Sequence, residues 1–225
     1  MRKFFVGLAV AGLGMLVAGC SGPSSPYANI RFVNASADAP NVDFYVEDET
    51  AFANVPFPEY RSYILIKAGE RRIAARLTGQ SQSYFNRIFT LDDGRNYSLY
   101  MVNPKDFASG LLVHDDWAVP TAGKGTLRIV HVAANTAAVD VYITEPAASL
   151  AKIDPDFSNV PYQGTSDYRE FQAGTYRIRL TTVGTKQVVY DSGDFNLLDG
   201  TVRSAIVFDG NADVPAHIDL FRDYK

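Results

Sequence analysis

The chain has 225 residues, 47% of them hydrophobic, and its 25 acidic groups outnumber the 21 basic ones, giving a formal net charge of -4. This balance, without any basic stripe, argues against nucleic acid as a partner. The lone cysteine, Cys20, excludes an internal disulfide, so we expect an apolar core to hold the fold.

The amino-terminal segment predicts export and lipid anchoring. Arg2 and Lys3 precede an apolar run, 4–17, which is too short for a membrane span and is typical of a signal peptide. The small residues before Cys20 resemble the lipobox of bacterial lipoproteins, whose cysteine receives lipid on its thiol and usually an acyl chain, such as palmitate, on its amine. We predict a signal peptide over 1–19 and lipidation at Cys20. An ordinary secretory signal and an uncleaved anchor are the alternatives.

Residues 20–28 form the predicted tether between lipid and folded protein. They are rich in Ser, Gly and Pro, and eight extended residues reach about 25 Å. Removing residues 1–19 leaves 19 basic against 25 acidic groups, a net charge of -6. Ser21 is compatible with delivery to the outer membrane, so we expect an exported protein anchored there and facing the periplasm or the cell surface.

The sequence that follows the tether contains two copies of one unit. The segment 30–46 recurs 97 positions later, at 127–143, and 52–57 recurs as 157–162 at an offset of 105. The second copy has therefore gained eight residues within 145–156, which we interpret as a lengthened loop. Asp116-Trp117 and Asp223-Tyr224 correspond at an offset of 107 in this alignment.

Apolar residues alternate with a period of two, which predicts strands. Turn residues such as Asp93-Gly94 and Asp199-Gly200 separate them. The predicted strands are 29–34, 42–46, 61–67, 71–77, 84–91, 96–102 and 110–115 in the first unit, and 126–132, 139–143, 166–171, 175–182, 186–196, 201–208 and 216–221 in the second. About seven short strands per hundred residues indicate an all-β chain of two tandem antiparallel β-sandwiches, immunoglobulin-like or transthyretin-like.

We place the first sandwich at 29–119, a small-residue linker at 120–125 and the second sandwich at 126–225. Trp117, the single tryptophan, lies just before the linker. It either covers the contact between the sandwiches or packs on the edge of its own.

The opening of each copy resembles a known family. Residues 31–45 are similar to the signature of the bacterial domain of unknown function 4397; they read Arg-Phe-Val-Asn-Ala-Ser-Ala-Asp-Ala-Pro-Asn-Val-Asp-Phe-Tyr. Residues 128–142 resemble a more divergent version of the same signature. The resemblance implies a β-sandwich of exported and lipid-anchored proteins, often in tandem, with no established activity. Asn34 replaces the signature His, whereas the second copy keeps His131 but has Asn135 in place of the Asp.

Candidate site residues have structural alternatives. We expect Asp43 and Asp140 to pair across the sheet with Arg31 and Arg128 in exposed ion pairs that set the register. Ser149 and Lys152 match a Ser-x-x-Lys pattern that occurs in enzymes. The partner motifs of that pattern are absent, so we do not expect a catalytic site there.

A metal site is not expected. Asp209, Asn211 and Asp213 resemble the first half of a calcium loop, but Val214 and Leu220 stand where that loop needs Gly and Glu, so a surface turn is the simpler reading. With three histidines spread over two units, histidine ligation is not expected either, and we predict no cofactor.

Tyrosines supply the remaining binding hypothesis. Tyr45 and Tyr142, with Tyr84, Tyr97 and Tyr100, are placed by the alternation on the strand face opposite the core, where they would form a stacking platform for glycans. Ordinary strand tyrosines are the alternative.

We predict a non-enzymatic envelope lipoprotein, a binding, adhesion or spacer module for an envelope protein or a surface glycan. The alternatives are a structural partner of another envelope protein, and a glycan or peptidoglycan hydrolase with two carboxylates about 5 to 10 Å apart in a cleft. Specific activity is expected where the copies differ: at 145–156, at 209–213 and around Trp117.

Overall fold

The computed structural model describes residues 26–210 and 216–224, in which strands and turns dominate. The strands of the first unit are β1 (Tyr27–Asn34), β2 (Val42–Val46), β3 (Glu49–Val55), β4 (Ile64–Lys67), β5 (Gly69–Leu77), β6 (Ser83–Leu91), β7 (Asn96–Val102) and β8 (Ser109–His114), with a 3₁₀ turn at Lys105–Phe107. They form two sheets, ordered β4-β1-β7-β8 and β3-β2-β5-β6. Side chains such as Phe32, Phe44 and Leu99 fill the core between the sheets.

The second unit repeats this arrangement. Its strands are β9 (Lys124–His131), β10 (Val139–Thr144), β11 (Phe157–Val160), β12 (Arg169–Gln172), β13 (Gly174–Thr182), β14 (Val188–Asp191), β15 (Phe195–Leu197), β16 (Val202–Asp209) and β17 (Ala216–Tyr224), with a 3₁₀ turn at Leu150–Lys152. The sheets are β12-β9-β16-β17 and β11-β10-β13-β14, and β15 pairs with β13. Ile129, Val141 and Leu180 lie in its core.

The predicted all-β class is confirmed, and the structure adds detail to it. The central pairs β1–β7 and β9–β16 are parallel, although their neighbours are antiparallel. Strands β3 and β11 were not predicted, because half-exposed edge residues give no regular alternation. The predicted strand 186–196 is two strands, separated at Gly193, whose φ is +68°.

The two units pack against each other through the outer faces of the sheets that contain β1 and β9. A third apolar cluster crosses this contact and includes Val33, Tyr100, Val130, Ile206 and Phe208. The central strands are therefore buried on both faces, so their apolar residues serve two cores. This explains why 30–33 and 127–130 are apolar runs interrupted by a single arginine.

Both units point in the same direction. The amino ends of β1 and β9 lie beside Gly94 and Gly200, whose N–H groups donate to Tyr27 and Lys124. The segment 115–123 joins the units at this basal end. At the opposite, distal end, the Tyr162 hydroxyl donates to Asn103 Oδ1 across the interface at 2.6 Å. Among the described residues, no helix has the length and apolar character needed to cross a membrane.

Candidate functional site

A closed ring of buried polar side chains joins the two units. Its members, taken around the ring, are Arg31, Ser98, Asp115, Arg128, Ser204 and Asp223. The relative exposure of each is at most 6%. Each unit contributes one arginine, one serine and one aspartate, so the ring has the approximate twofold symmetry of the duplication.

Each arginine binds the serine of its own unit and the aspartate of the other. Arg31 Nε donates to Ser98 Oγ at 2.6 Å, and its Nη2 donates to Asp223 Oδ1 at 2.5 Å. Arg128 Nε donates to Ser204 Oγ at 2.7 Å, and its Nη2 donates to Asp115. Both guanidinium groups also bind a backbone carbonyl of the opposite unit. The ion pairs therefore connect the units rather than the strands of one sheet.

Two tyrosines complete the coordination of the aspartates. Tyr63 donates to Asp115 Oδ2 at 2.6 Å, and Tyr168 donates to Asp223 Oδ2 at 2.9 Å. The same rings lie over the guanidinium groups of Arg31 and Arg128, at 4.9 and 4.5 Å from the ring centroids. Tyr63 and Tyr168 are 105 positions apart, the offset at which 52–57 recurs as 157–162, so the two copies use equivalent tyrosines for this contact.

The arginines of the ring and the tyrosines beside it keep their protons over a wide pH range. Burial lowers the pKa of the Arg31 and Arg128 guanidinium groups, but the adjacent aspartates and tyrosines together outweigh it, so both pKa values are raised. Burial, and then the adjacent carboxylates, raise the pKa of Tyr63 and Tyr168, and burial raises that of Tyr100 to about 12. Fixed ion pairs and neutral phenols suit a structural lock better than proton transfer.

The predicted pairing of Arg31 with Asp43, and of Arg128 with Asp140, is wrong. β1 and β2 belong to opposite sheets, so the arginine and the aspartate do not face each other. Asp43 accepts instead from Asn54 N at 2.7 Å and from Thr78 Oγ1 at 2.8 Å.

Asp140 plays the matching part in the second unit. It accepts from Asn159 N at 2.7 Å and from Gly184 N at 2.8 Å. Asn54 and Asn159 both have positive φ, +55° and +49°, so each aspartate fixes a tight backbone turn.

The predicted tyrosine platform is wrong at three positions. Tyr97 and Tyr100 are buried in apolar clusters, and Tyr142 is 1% exposed. The lengthened connection 145–156 accounts for the burial of Tyr142, because it folds across that face of the sheet. Tyr45, its counterpart, stays partly exposed with the Arg76 guanidinium 4.0 Å from its ring centroid.

Arg179 and Lys186 hold this connection in place. Arg179 donates to the carbonyls of Ala148 and Pro146 at 2.7 and 2.8 Å. Lys186 Nζ donates to the Tyr142 hydroxyl at 2.8 Å and also to the Ile153 carbonyl.

Of the other predicted site residues, Cys20, Asn211 and Asp213 lie outside the described residues. Asp209 accepts from Ala134 N and Asn135 N at 3.1 and 2.8 Å, which closes a loop at the distal end. Ser149 Oγ accepts from Ala151 N at the start of a 3₁₀ turn. In the described ranges, no three His, Cys, Asp or Glu side chains are grouped as metal ligands would be.

Trp117 is partly buried within the segment that joins the units. Its two predicted placements, over the contact between units or on the edge of its own sandwich, both stay predictions.

Two grooves flank the interface between the units, one on each side. The wider one encloses about 650 Å³ and lies between β8 and residues 163–168. The narrower one, of about 390 Å³, lies between residues 58–60 and β17. Neither groove could be predicted from the sequence, because each is formed by segments of both units.

The family described as "Domain of unknown function (DUF4397)" matches residues 28–142. The match covers the first unit and extends into the second as far as Tyr142. A search among curated proteins finds no match.

Solved structures that match the chain share little sequence with it. The Bacillus anthracis TIE protein is 10% identical with a TM-score of 0.28; the match covers 81% of this chain and 34% of that one, so the chain spans about a third of its length. A family 26 carbohydrate-binding module from Eubacterium rectale Amy13K, solved with maltoheptaose, is 10% identical over 88% of this chain and 98% of that one, with a TM-score of 0.28. An alpha-glucan-binding streptococcal virulence factor is 10% identical. The match covers 80% of this chain and 92% of that one, with a TM-score of 0.28. Likeness at this level carries no argument about ligands.

Proposed function

The chain belongs to the DUF4397 family, and from that premise we propose that it is a non-catalytic, lipid-anchored envelope module that holds a binding surface at a fixed distance from a membrane. The observation that carries this proposal is the buried ring between the units. A pair of domains on a free linker would sample many orientations. Here, separating the units would break both ion pairs and expose the apolar cluster around Tyr100.

The position of the tether supports a defined orientation. The described chain begins at the basal end, where Tyr27 N donates to Asp93 Oδ1 at 3.0 Å. Lipid on Cys20 would therefore bring the basal end of both units towards the membrane. The distal end, which carries the family signature loop and the 80% exposed side chain of Phe107, would face away.

The hydrolase alternative finds less support in the arrangement of carboxyl groups. A general acid needs a carboxyl with a raised pKa, set in a cleft. Burial raises the pKa of Asp156, but this group accepts from Ile143 N at 2.7 Å and lies 3.5 Å from Arg169, so it holds the connection 145–156 in place.

Metabolic labelling with an alkyne analogue of palmitate tests the anchor. We expect label on the wild-type chain, none on Cys20→Ser, and release of that variant from the membrane fraction. Ser21→Ala is the matched control and should keep the label. Label on Cys20→Ser, or an unlabelled wild type, would contradict lipid anchoring.

Site-specific photo-cross-linking in intact cells tests the binding surface. A photoreactive residue at Phe107 should give a reproducible cross-link to an envelope protein or glycan. The same residue at Lys67, exposed at the basal end, should give cross-links to lipid or none. Partners captured only from Lys67, or from neither site, would overturn the proposed function. A partner whose assembly fails without this chain would favour the structural alternative.

A further inference from the structure

The two grooves beside the interface occupy equivalent places in the duplicated structure. Tyr60 forms an isolated bridge with Val33, and Thr165 forms the matching bridge with Val130. On the facing strands, Phe221 pairs with Ser204 and Val113 pairs with Ser98. Tyr60 and Phe221 on one side therefore correspond to Thr165 and Val113 on the other.

Aromatic rings fill the narrower groove. The rings of Tyr60 and Phe221 stack with their centroids 4.1 Å apart and an interplanar angle of 30°. Both lie close to the Arg31 guanidinium, at 5.9 and 5.6 Å from their centroids. Arg31 is thus surrounded by aromatic rings, including that of Tyr63 at 4.9 Å.

The wider groove lacks this filling, because Thr165 and Val113 are small. Arg128 lies at its base, with Tyr168 4.5 Å away. The volume of about 650 Å³ falls within the range of sites that take small ligands or peptide side chains. The filled groove shows which chemical group suits this place: a planar aromatic ring packed near a guanidinium.

The rim of the wider groove is acidic. The Asp167 residue is exposed, and the Asp116 side chain is 74% exposed, with Arg95 3.7 Å from it. The groove also runs along β8, the edge strand of its sheet. Edge strands offer backbone groups to extended peptides, and exposed carboxylates favour Lys and Arg.

We propose that the wider groove binds an extended peptide segment of a partner protein, in which an aromatic residue is flanked by basic residues. The aromatic ring takes the place that Tyr60 holds in the opposite groove. The flanking cations reach Asp116 and Asp167. This inference goes beyond the proposed function, because it requires neither the lipid nor the distal end.

The test uses the full chain in detergent micelles, with the peptide acetyl-Lys-Tyr-Lys-amide as the probe. Amide NMR shifts are expected at 111–118 and 163–168. Binding of acetyl-Lys-Ala-Lys-amide should be about tenfold weaker, since the ring contact is lost. The acidic peptide acetyl-Glu-Tyr-Glu-amide should not bind.

Variants that exchange the two grooves give a matched pair. Val113→Phe with Thr165→Tyr should fill the wider groove and weaken binding of the probe at least tenfold. Tyr60→Thr with Phe221→Val should open the other groove, whose rim carries Glu59 and Asp219, and add shifts at 58–60 and 219–221. Should the filled variant fail to fold, Asp116→Lys with Asp167→Lys provides the same test at the surface and should also weaken binding about tenfold.

Undiminished binding by the folded variants, or no shifts with any peptide, would overturn the proposal. Shifts at the same residues with maltoheptaose but not with the peptides would assign the groove to a glycan, which also contradicts it. Failure of lipid labelling or of cross-linking at Phe107 leaves this result unaffected, so the two proposals can fail separately.

Discussion

The connection between the second and third strands differs between the two units. In the first unit, Glu47 and Asp48 form a two-residue turn between β2 and β3. In the second unit, the matching connection extends over 145–156 and covers the outer face of its sheet. Tyr142 is consequently buried, whereas Tyr45 stays partly exposed beside Arg76.

The units are alike, by contrast, where they touch each other. Each supplies one Arg, one Ser and one Asp to the ring between them, and one Tyr that binds the Asp of its own unit. A substitution in the ring therefore acts on both units at once. A substitution in the outer face of a sheet acts on a single unit. The substitutions below therefore differ in whether they weaken both units or one.

The largest effect is expected from opening the ring. Arg31→Met removes one partner of a buried ion pair and leaves Asp223 uncompensated, which should lower the free energy of unfolding by about 3 to 5 kcal/mol. Arg128→Met should cost a similar amount, because the ring is symmetric. Urea unfolding measures both.

Arg72→Met is the control for loss of an ion pair. Its partner Asp48 is exposed, so we expect a change within about 1 kcal/mol. Ring variants that lower stability no more than this control would show that the ring does not lock the units.

A smaller and local effect is expected at the outer faces. Arg179→Ala removes the hydrogen bonds to Pro146 and Ala148 and should cost about 2 to 3 kcal/mol. Arg76→Ala loses a partly exposed contact with Tyr45 and should cost about 0.5 to 1 kcal/mol. Limited proteolysis should cut Arg179→Ala within 145–156. Equal protection of that segment in both variants would contradict its dependence on Arg179.

Acid should weaken the turn held by Asp43. Burial raises the pKa of Asp43, but hydrogen bonds from Asn54, Thr78 and Gly79 outweigh it, so the pKa lies below its usual value. Stabilisation by the carboxylate is therefore present above the unfolded value of about 3.9 and is lost as pH falls through the folded pKa. Asp43→Asn should cost about 1 to 2 kcal/mol at pH 7, because the amide has one accepting oxygen. The difference from wild type should shrink below about pH 4; a constant difference would count against this account.

The smallest effect is expected at the position where the copies carry Asn34 and His131. Asn34 Oδ1 accepts from Ser36 N and its amide donates to Val55 O. His131 Nδ1 accepts from Ala133 N, which places the proton on Nε2, facing Ala137 O at 3.1 Å. Each residue accepts from the backbone N–H two positions further on, although the carbonyls that they bind differ, so His131→Asn should cost about 1 kcal/mol or less at pH 7.

The pH dependence distinguishes the two residues further. Burial lowers the pKa of His131. Its neutral form therefore stabilises the fold above about pH 6.5, and this contribution is lost as pH falls through the folded pKa. His131→Asn should remove that dependence below about pH 6.5. An identical pH profile of unfolding for both proteins would refute the assignment.

The repeat and the all-β class were predictable, since alternation along 42–46 and 139–143 is a local property of each strand. The match of Tyr63 with Tyr168 was predictable too. The alignment of the ends was off by one residue, because Asp115, not Asp116, is the counterpart of Asp223 in the ring. Ser98 and Ser204 are 106 positions apart, whereas their strand partners Val113 and Phe221 are 108 apart, so the offset changes between these paired strands.

The sequence by itself therefore determined two sandwich-forming repeats and a connection of unequal length between them. Only the tertiary structure shows which carboxylates the arginines of the family signature bind. A strand pattern reports which side chains alternate, but not which sheet lies opposite. Arg31 binds Asp223, nearly 200 residues away, and Arg128 binds Asp115, about a dozen residues away. Both contacts form because the outer faces of two sheets come together. The same contact leaves one groove filled by Tyr60 and the other open at Thr165, a difference that no segment of the chain carries alone.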